Sequence, residues 1–324
     1  MLFAQGRRRE GADLLSVAYE IGRANDIAEV TLRSGNNLAS IMTEEDQQAG
    51  MAMYDELMAM ARKVGRRDAL LGLVSNYAYT AFLGGEWDAA MAVMEVELAE
   101  DMAERERMIM LNNASIIRAN RGEAIADDLA QMADLARNME GELPDLFRAD
   151  PEANLAMASG DLKTASARFF RIGDEDPAQL HEYAYRAARP MLWAGDVEAA
   201  RRYYERFAER GSFGPVAAAR IATIQAGMAA LEGRALDAMA LYREGLRGWR
   251  ETHSRWDEAL TGIDMATLLD PTDPEVAEVI RSTREILEGL RATPYVAILD
   301  RAAARPSPSP ARKRPAATEV AVSG

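Results

Sequence analysis

The chain has 324 residues, of which 48% are hydrophobic and 28% are charged, and it contains no cysteine. The hydrophobic fraction supports a large buried core and excludes an intrinsically disordered body, while the lack of cysteine excludes disulfide bonds and thiolate metal sites. A net charge of −14 argues against general nucleic-acid binding, because binding to phosphates needs a positive surface.

No stretch approaches the roughly 18 apolar residues that a membrane span requires. The N-terminus, MLFAQGRRRE, also lacks the apolar segment of a secretion signal. The sequence therefore predicts a cytoplasmic protein that has no membrane and no nucleic-acid partner.

Residues 1–291 are predicted to form a series of helices. They are rich in Ala, Leu, Met, Glu and Arg, and the few prolines before the C-terminal tail fall mostly at helix boundaries, as at Pro151, Pro274 and Pro294. A unit of Gly-x-bulky-x-x-Ala recurs at intervals of 35–38 residues from Gly85 onward. The glycine allows the chain to turn, the bulky residue fills the space between two helices, and the alanine allows them to approach closely. This period is typical of a helical solenoid with about 15 or 16 helices.

The repeated unit gives structural roles to turn glycines, a bulky residue and close-packing alanines. They are Gly85, Trp87, Ala90, Gly160, Ala165, Gly195, Ala200, Gly233 and Ala238.

The segment NYAYTAFLGGEWDAAMAVM (76–94) resembles the tetratricopeptide repeat (TPR), and the resemblance extends over about residues 2–290. It implies an all-α, right-handed superhelical solenoid of about seven TPR-like helix hairpins with a C-terminal helical cap. The chain departs from the family in its longer period, since the TPR repeats every 34 residues or so. It also has Ala78 where the family prefers glycine.

The first repeat is predicted to be incomplete, because Gly6 would already be the turn in the middle of its hairpin. Such an end leaves an apolar edge, whereas solenoids usually end in a polar cap. Three interpretations stay open. The chain is part of a longer polypeptide, a partner or a second copy covers the edge by self-association, or an atypical first hairpin suffices.

The C-terminal region divides into a predicted capping helix at 292–304 and a disordered, basic, Pro/Ser/Ala-rich tail at 305–324. The segment STREILEGLRATPYVAILDRAAAR (282–305) resembles the end of the C-terminal arm in bacterial signalling regulators. Those proteins join nucleotide-cyclase or helix-turn-helix modules to a P-loop ATPase. The sequence contains no phosphate-binding loop and no DNA-reading helix pair, so the resemblance implies sensing or interaction and no chemistry.

Asparagines recur in step with the repeat, at Asn37, Asn76 and Asn113. In the TPR family the matching asparagine faces the concave groove, where an amide both donates to and accepts from a peptide backbone. Tyr79 lies three residues after Asn76 and would offer an apolar platform on the same face.

Later repeats carry Arg186, Arg189 and Arg220 on the corresponding face. Together with the amides they predict a groove for a peptide that has an acidic portion. The alternative is that the asparagines bond between neighbouring helices and the arginines pair with the abundant Asp and Glu.

No residue pattern indicates catalysis or metal binding. His181 and His253 lie 72 residues apart without metal-ligand spacing, and no serine elbow is present. We therefore predict a non-catalytic protein–protein interaction scaffold without cofactor or metal, which binds a peptide or partner protein. The alternative is a sensory arm in bacterial signal transduction, separated from its cyclase or transcription-regulator output domains.

Overall fold

A computed structural model describes residues 8–137, 143–176, 179–208 and 214–305. Over these ranges the chain forms sixteen α-helices and no β-strand, and consecutive helices pack against each other. The predicted all-α class is confirmed, and the packing is compatible with a helical repeat solenoid. The predicted turn at Gly6 and the predicted tail beyond Arg305 lie outside the described residues.

The helices follow one another with short connections. They are α1 (Arg8–Ala24), α2 (Ala28–Met42), α3 (Gln47–Val64), α4 (Arg67–Gly84), α5 (Trp87–Leu98), α6 (Glu104–Arg121), α7 (Ala126–Ala136), α8 (Leu143–Ser159), α9 (Leu162–Glu175), α10 (Leu180–Trp193), α11 (Val197–Ala208), α12 (Pro215–Leu231), α13 (Ala235–Glu251), α14 (Arg255–Leu268), α15 (Pro274–Gly289) and α16 (Thr293–Ala303).

The turn glycines end the first helix of successive pairs in the left-handed conformation. Gly85 has φ 82°, and the backbone N–H of Glu86 donates to the carbonyl of Ala81 at 2.7 Å. The corresponding bond recurs at 2.9 Å after Gly122, and likewise after each of the glycines at 160, 195 and 233. This closure satisfies carbonyls that the helix end would otherwise leave unpaired.

The bulky and small positions of the unit are buried between the helices. Trp87 is 1% exposed, its ring stacks on Phe82 at 5.6 Å, and its Nε1 donates to the carbonyl of Phe82 at 2.8 Å. The alanines of the repeated unit are fully buried: Ala90, Ala165, Ala200 and Ala238. The large residue therefore fills the space between the helices, and the small alanines allow the helices to approach closely.

Gly85→Ala should lower the free energy of unfolding by about 1–2 kcal/mol, because an L side chain is strained at positive φ. The new Cβ would also lie 3.1 Å from the Cβ of Arg255. Gly72→Ala is the matched control, since Gly72 lies inside α4 with nothing within 4 Å of its added Cβ. That change should stabilise the protein by about 0.5–1 kcal/mol. Urea denaturation measures both changes in stability. If both had the same sign, the role of Gly85 as a left-handed turn residue would be contradicted.

Prolines occupy two kinds of position. Pro274 and Pro294 lie in the first turns of α15 and α16, as predicted. The prediction that Pro151 marks a boundary is wrong, because Pro151 lies inside α8. Proline lacks an N–H, so the carbonyl of Phe147 loses its helical partner. The side chain of Asn112 in α6 donates to that carbonyl, which satisfies it and ties α6 to α8.

The array folds back on itself through its C-terminal helices. The helix α14 packs against α4 as well as α10 and α12, and α16 packs against α6 and α8. One hydrophobic cluster extends from Tyr19 in α1 to Ala302 in α16. These contacts of α14 and α16 with helices far earlier in the chain were not predicted from the sequence.

The helix α1 exposes apolar side chains at helical spacing. Leu14, Val17 and Ile21 are 61%, 56% and 53% exposed, respectively. Because these positions recur every three to four residues, they lie along one face of α1. The apolar edge that the sequence predicted from an incomplete first repeat stays a prediction, as does self-association through it.

Buried tyrosines should make the protein sensitive to alkali. Burial raises the pKa of Tyr54 to about 12, and it raises the pKa values of Tyr183, Tyr185 and Tyr242 well above their ordinary value of 10. Above about pH 10 the unfolded chain gives up these protons while the folded chain keeps them, so stability falls as the pH rises. The stabilisation is complete below pH 10 and, for Tyr54, is lost between about pH 10 and 12.

Between its unfolded and its folded pKa, each of these tyrosines should lower the free energy of unfolding by about 1.4 kcal/mol per pH unit. Ultraviolet titration with circular dichroism checks the result: we expect these phenols to ionise only as helicity is lost. The urea-denatured chain is the control, since all ten tyrosines should then ionise near pH 10. Ionisation of every phenol near pH 10 with intact helices would contradict the expectation.

Candidate functional site

Two of the predicted asparagines bridge the first helices of neighbouring pairs. Asn76 in α4 donates through Nδ2 to Oδ1 of Asn36 in α2 at 3.0 Å. Asn113 in α6 donates through Nδ2 to the carbonyl of Ser75 in α4 at 3.0 Å. These bonds are the ones the alternative interpretation anticipated, and they use only the donor side of each amide.

Asn37 does not join these residues. Its side chain is exposed and donates to the carbonyl of Arg33 in its own helix at 3.1 Å. Asn36 takes the bridging place instead. Successive residues of a helix point about 100° apart, so a register error of one residue changes the face on which a side chain lies.

Two cavities meet at Asn76 and Tyr79, and the surface that lines them is called the inner face here. The first, the amide cavity, has a volume of about 290 Å³ and is lined also by Asn113, Phe147 and Tyr183. The second, the Arg220 cavity, has a volume of about 200 Å³. Tyr79 lines both and donates its hydroxyl to Glu182 of α10.

Arg186 is neutralised by one carboxylate. Its Nη1 and Nη2 donate to Oδ2 and Oδ1 of Asp150 at 3.0 and 2.8 Å, a bidentate arrangement. The guanidinium also lies over the ring of Phe169 at 4.4 Å, and the hydroxyl of Tyr183 donates to Asp150 at 2.5 Å. Arg186 thus holds α8 and α10 together and has a counter-ion within the fold.

Arg189 is buried in a second ionic cluster, between α10 and α14. It is 3% exposed, and its Nε and Nη1 donate to Asp264 and Asp257 at 3.2 and 3.3 Å. Burial raises the pKa of the Asp264 carboxyl, against the attraction of Arg189 and the hydrogen bond from Trp193. Because α14 covers it, Arg189 lines neither inner cavity.

Arg220 differs from both. It is 8% exposed, and its Nε is buried without a hydrogen-bond partner. Within the part of the chain that the structure describes, its guanidinium forms no ion pair, and its contact is the face of the Tyr185 ring at 5.3 Å. Of the three predicted arginines, Arg220 is the one that lines an inner cavity without a counter-ion.

Sequence reasoning missed the acidic partners Asp150, Asp257 and Asp264. The chain has 52 carboxylates, so no spacing pattern could select these three. Asp150 had a weak signal, since it directly precedes Pro151 within a helical pattern. The carboxylates of α14 had none, because their partner lies about 70 residues away in sequence.

The described ranges offer neither a metal site nor a membrane-spanning helix. No cluster of three or more His, Asp or Glu residues there is placed to hold a metal ion. His253 pairs through Nδ1 with Asp46 at 3.1 Å, and His181 lines the Arg220 cavity. Within the same ranges, no helix combines the length and apolarity needed to cross a bilayer. A non-catalytic role stays a prediction.

No known protein-family model matches this chain, and no curated protein is significantly similar to it.

Proposed function

We propose that this protein is a non-catalytic interaction scaffold of the TPR type, which binds an extended segment of a partner protein in the amide cavity. Helices α2 to α15 would form seven hairpins of a right-handed superhelix, with α16 as the cap. The observation that carries the proposal is that amide side chains from two successive pairs line one cavity on the inner face.

The amides have unused acceptors. Asn76 and Asn113 each donate to a neighbouring helix, but within the described ranges the side-chain oxygens of both accept no hydrogen bond. An extended peptide presents backbone N–H groups at regular spacing, so the two oxygens would bind it without reading its sequence. The half-buried ring of Tyr79 adds an apolar surface beside them.

A sensory arm of a bacterial cyclase or transcription regulator is the second candidate. The buried, unpaired Arg220 favours it, because such a group fits a small effector better than a long peptide. A gene that continues upstream, in register, into a P-loop ATPase or cyclase domain would support this alternative.

Replacement of Tyr79 by the photo-cross-linker benzoylphenylalanine should yield a discrete cross-linked partner in the host cell. The same replacement at Leu236, which is 88% exposed on α13, is the matched control and should not. Mass spectrometry identifies the captured protein. Equal capture from both positions would contradict binding at the inner face.

With the partner in hand, Asn76→Ala combined with Asn113→Ala should weaken binding about 30-fold, since each lost amide contact is worth about 1 kcal/mol. Asn36→Ala is the control. It breaks the same inter-helix bond as Asn76→Ala, yet Asn36 lines neither inner cavity. An equal loss of affinity in the control would show that the asparagines act only on the fold.

A further inference from the structure

A third cavity, the α3–α4 cavity, lies along the groove between α3 and α4. Its volume of about 620 Å³ falls within the roughly 300–1,000 Å³ of pockets for small molecules. Gln47 at the start of α3 lies opposite Gly84 at the end of α4, and Asp55 lies on the same wall two turns further along α3. The turn between α13 and α14, which includes His253, closes one side.

The side-chain oxygen of Gln47 is a buried acceptor that has no hydrogen-bond partner among the described residues. A chain of hydroxyl groups fixes its orientation. Thr252 donates its hydroxyl to the carbonyl of Gly248 at 2.8 Å, so it accepts from the hydroxyl of Ser254 at 3.0 Å. Ser254 therefore accepts from Nε2 of Gln47 at 2.9 Å, which directs Oε1 away from Ser254.

This oxygen faces the α3–α4 cavity and not the Arg220 cavity. A Cβ added to Gly84 would lie 3.2 Å from it, 3.8 Å from Sδ of Met51 and 3.9 Å from the carbonyl oxygen of His253. Gly84, Met51 and His253 all line the α3–α4 cavity, and none of them lines the Arg220 cavity. The space beside the glycine is thus surrounded by acceptors, and the flexible side chain of Met51 can move to admit a ligand. A hydrogen-bond donor on that ligand would satisfy the unpaired oxygen.

The other end of the cavity offers a carboxylate and a hydroxyl. Asp55 is exposed and forms no ion pair within the described ranges. Arg62 attracts it from beyond ion-pair distance and is itself paired with Glu97 at 3.9 Å. Burial raises the pKa of Tyr77, and the charges of Asp55 and Glu86 raise it further, so both carboxylates act on this phenol.

The charged groups of the wall carry an excess of negative charge. They are Asp55, Glu86, Arg250, His253, Arg255 and Glu258. Arg250 pairs with Glu258 at 2.6 Å, and His253 bonds to Asp46 at 3.1 Å. Of the other three, two are carboxylates, and the single guanidinium, that of Arg255, is exposed to solvent. Such a wall favours a cation over an anion.

The spacing of the two polar ends sets the length of that cation. Eight residues of helix separate Gln47 from Asp55, which is about 12 Å along the axis. Met51, Ala52 and Ala89 line the cavity as well, so part of its wall is apolar. A hydrogen bond of about 3 Å at each end leaves about 6 Å between two donor atoms. With single bonds of about 1.5 Å, this distance corresponds to about four or five methylene groups.

We propose that the α3–α4 cavity binds a linear aliphatic diamine with about four or five methylene groups. One ammonium group lies at Gln47 and Glu86, and the other lies at Asp55 and Tyr77. An ammonium group has three donors and no acceptor, which suits these oxygens, and the aliphatic chain lies against Met51. The site goes beyond the partner binding proposed above, because it is a different cavity and needs no protein partner.

Calorimetric titration and thermal unfolding of the full chain test the proposal. The probes are the linear diamines from propanediamine to octanediamine, with the monoamine and the neutral diol of each length. We expect butanediamine or pentanediamine to bind most tightly and to raise the Tm. The monoamine of the same length should bind about 10- to 100-fold more weakly, because it lacks one charged contact, and the diol should not bind.

Gly84→Ala tests the end at Gln47. The added methyl group occupies the space in front of Oε1, so diamine binding should weaken about tenfold or more. The Tm of the ligand-free protein should change little, because alanine suits a helix. Gly72→Ala is the control, since Gly72 lies in the same helix but does not line the cavity.

Asp55→Asn tests the other end and should also weaken binding about tenfold or more. Glu56→Gln is the matched control. Glu56 is the next residue of α3 and is exposed, so its replacement removes the same charge from the chain, but it does not line the cavity.

Several results would overturn the proposal. They are no binding by any diamine, binding that is independent of chain length, and monoamines that bind as tightly as diamines. Equal losses in Asp55→Asn and Glu56→Gln would show a general attraction of cations to an acidic chain and would overturn it too. Since the assay contains no protein partner, its failure is distinguishable from a failure of the cross-linking at Tyr79.

Discussion

Trp256→Ala should lower the free energy of unfolding by about 3–5 kcal/mol and loosen the packing of α14 against α4 and α16. Trp256 lies in α14 and is 4% exposed. Its ring lies 5.0 Å from that of Trp87, 4.9 Å from that of Tyr295 and 5.9 Å from that of Phe82. Alanine would leave a cavity where α4, α14 and α16 meet, and rigid helices cannot collapse to fill it.

Hydrogen exchange separates this effect from a general loss of stability. In Trp256→Ala, amides of α4 and α16 should exchange faster than those of α12 and α13. Trp249→Ala is the matched control, because Trp249 is also fully buried but bonds to Thr223 and Thr261 instead. A loss below about 1 kcal/mol, or unchanged exchange in α4 and α16, would show that this aromatic cluster does not hold the closure.

The local architecture could be predicted from the sequence, whereas the closure could not. Gly85 and Trp87 recur in a repeated unit, and each acts on its immediate neighbours, so periodicity reveals them. The contact between Trp87 and Trp256 joins residues 169 positions apart in the sequence. Such a pairing depends on how all the intervening helices pack together, and no local spacing encodes it.

In the candidate site, too, the features set by the repeat could be predicted from the sequence and those set by tertiary packing could not. Asn76 and Asn113 were predicted because the repeat sets their register, but Asn37 was placed one residue beyond the bridging Asn36. Arg220 was predicted on the inner face for the same reason as Arg186. Arg186 has a counter-ion and Arg220 lacks one. This difference depends on which carboxylates the tertiary packing brings near each arginine, and no periodic pattern in the sequence encodes it.

Arg189→Met should destabilise the protein by about 3–5 kcal/mol, because it leaves the carboxylates of Asp257 and Asp264 buried without a counter-charge. Adding Asp264→Leu should recover part of this loss, since it removes the more deeply buried of the two unpaired carboxylates and leaves Asp257. Arg234→Met is the control, because its ion pairs are exposed and screened and should change stability little.

The pH dependence of the stability loss in Arg189→Met shows whether Arg189 acts through its charge. Burial already raises the pKa of Asp264, and the loss of Arg189 should raise it further. The folded state then binds a proton that the unfolded state does not, so the deficit of Arg189→Met should shrink as the pH falls from neutral to about 5. Urea denaturation of the two single variants and the double variant at both pH values measures this. A deficit that is independent of pH, with no recovery in the double variant, would mean that Arg189 stabilises α14 through its packing and not through its charge.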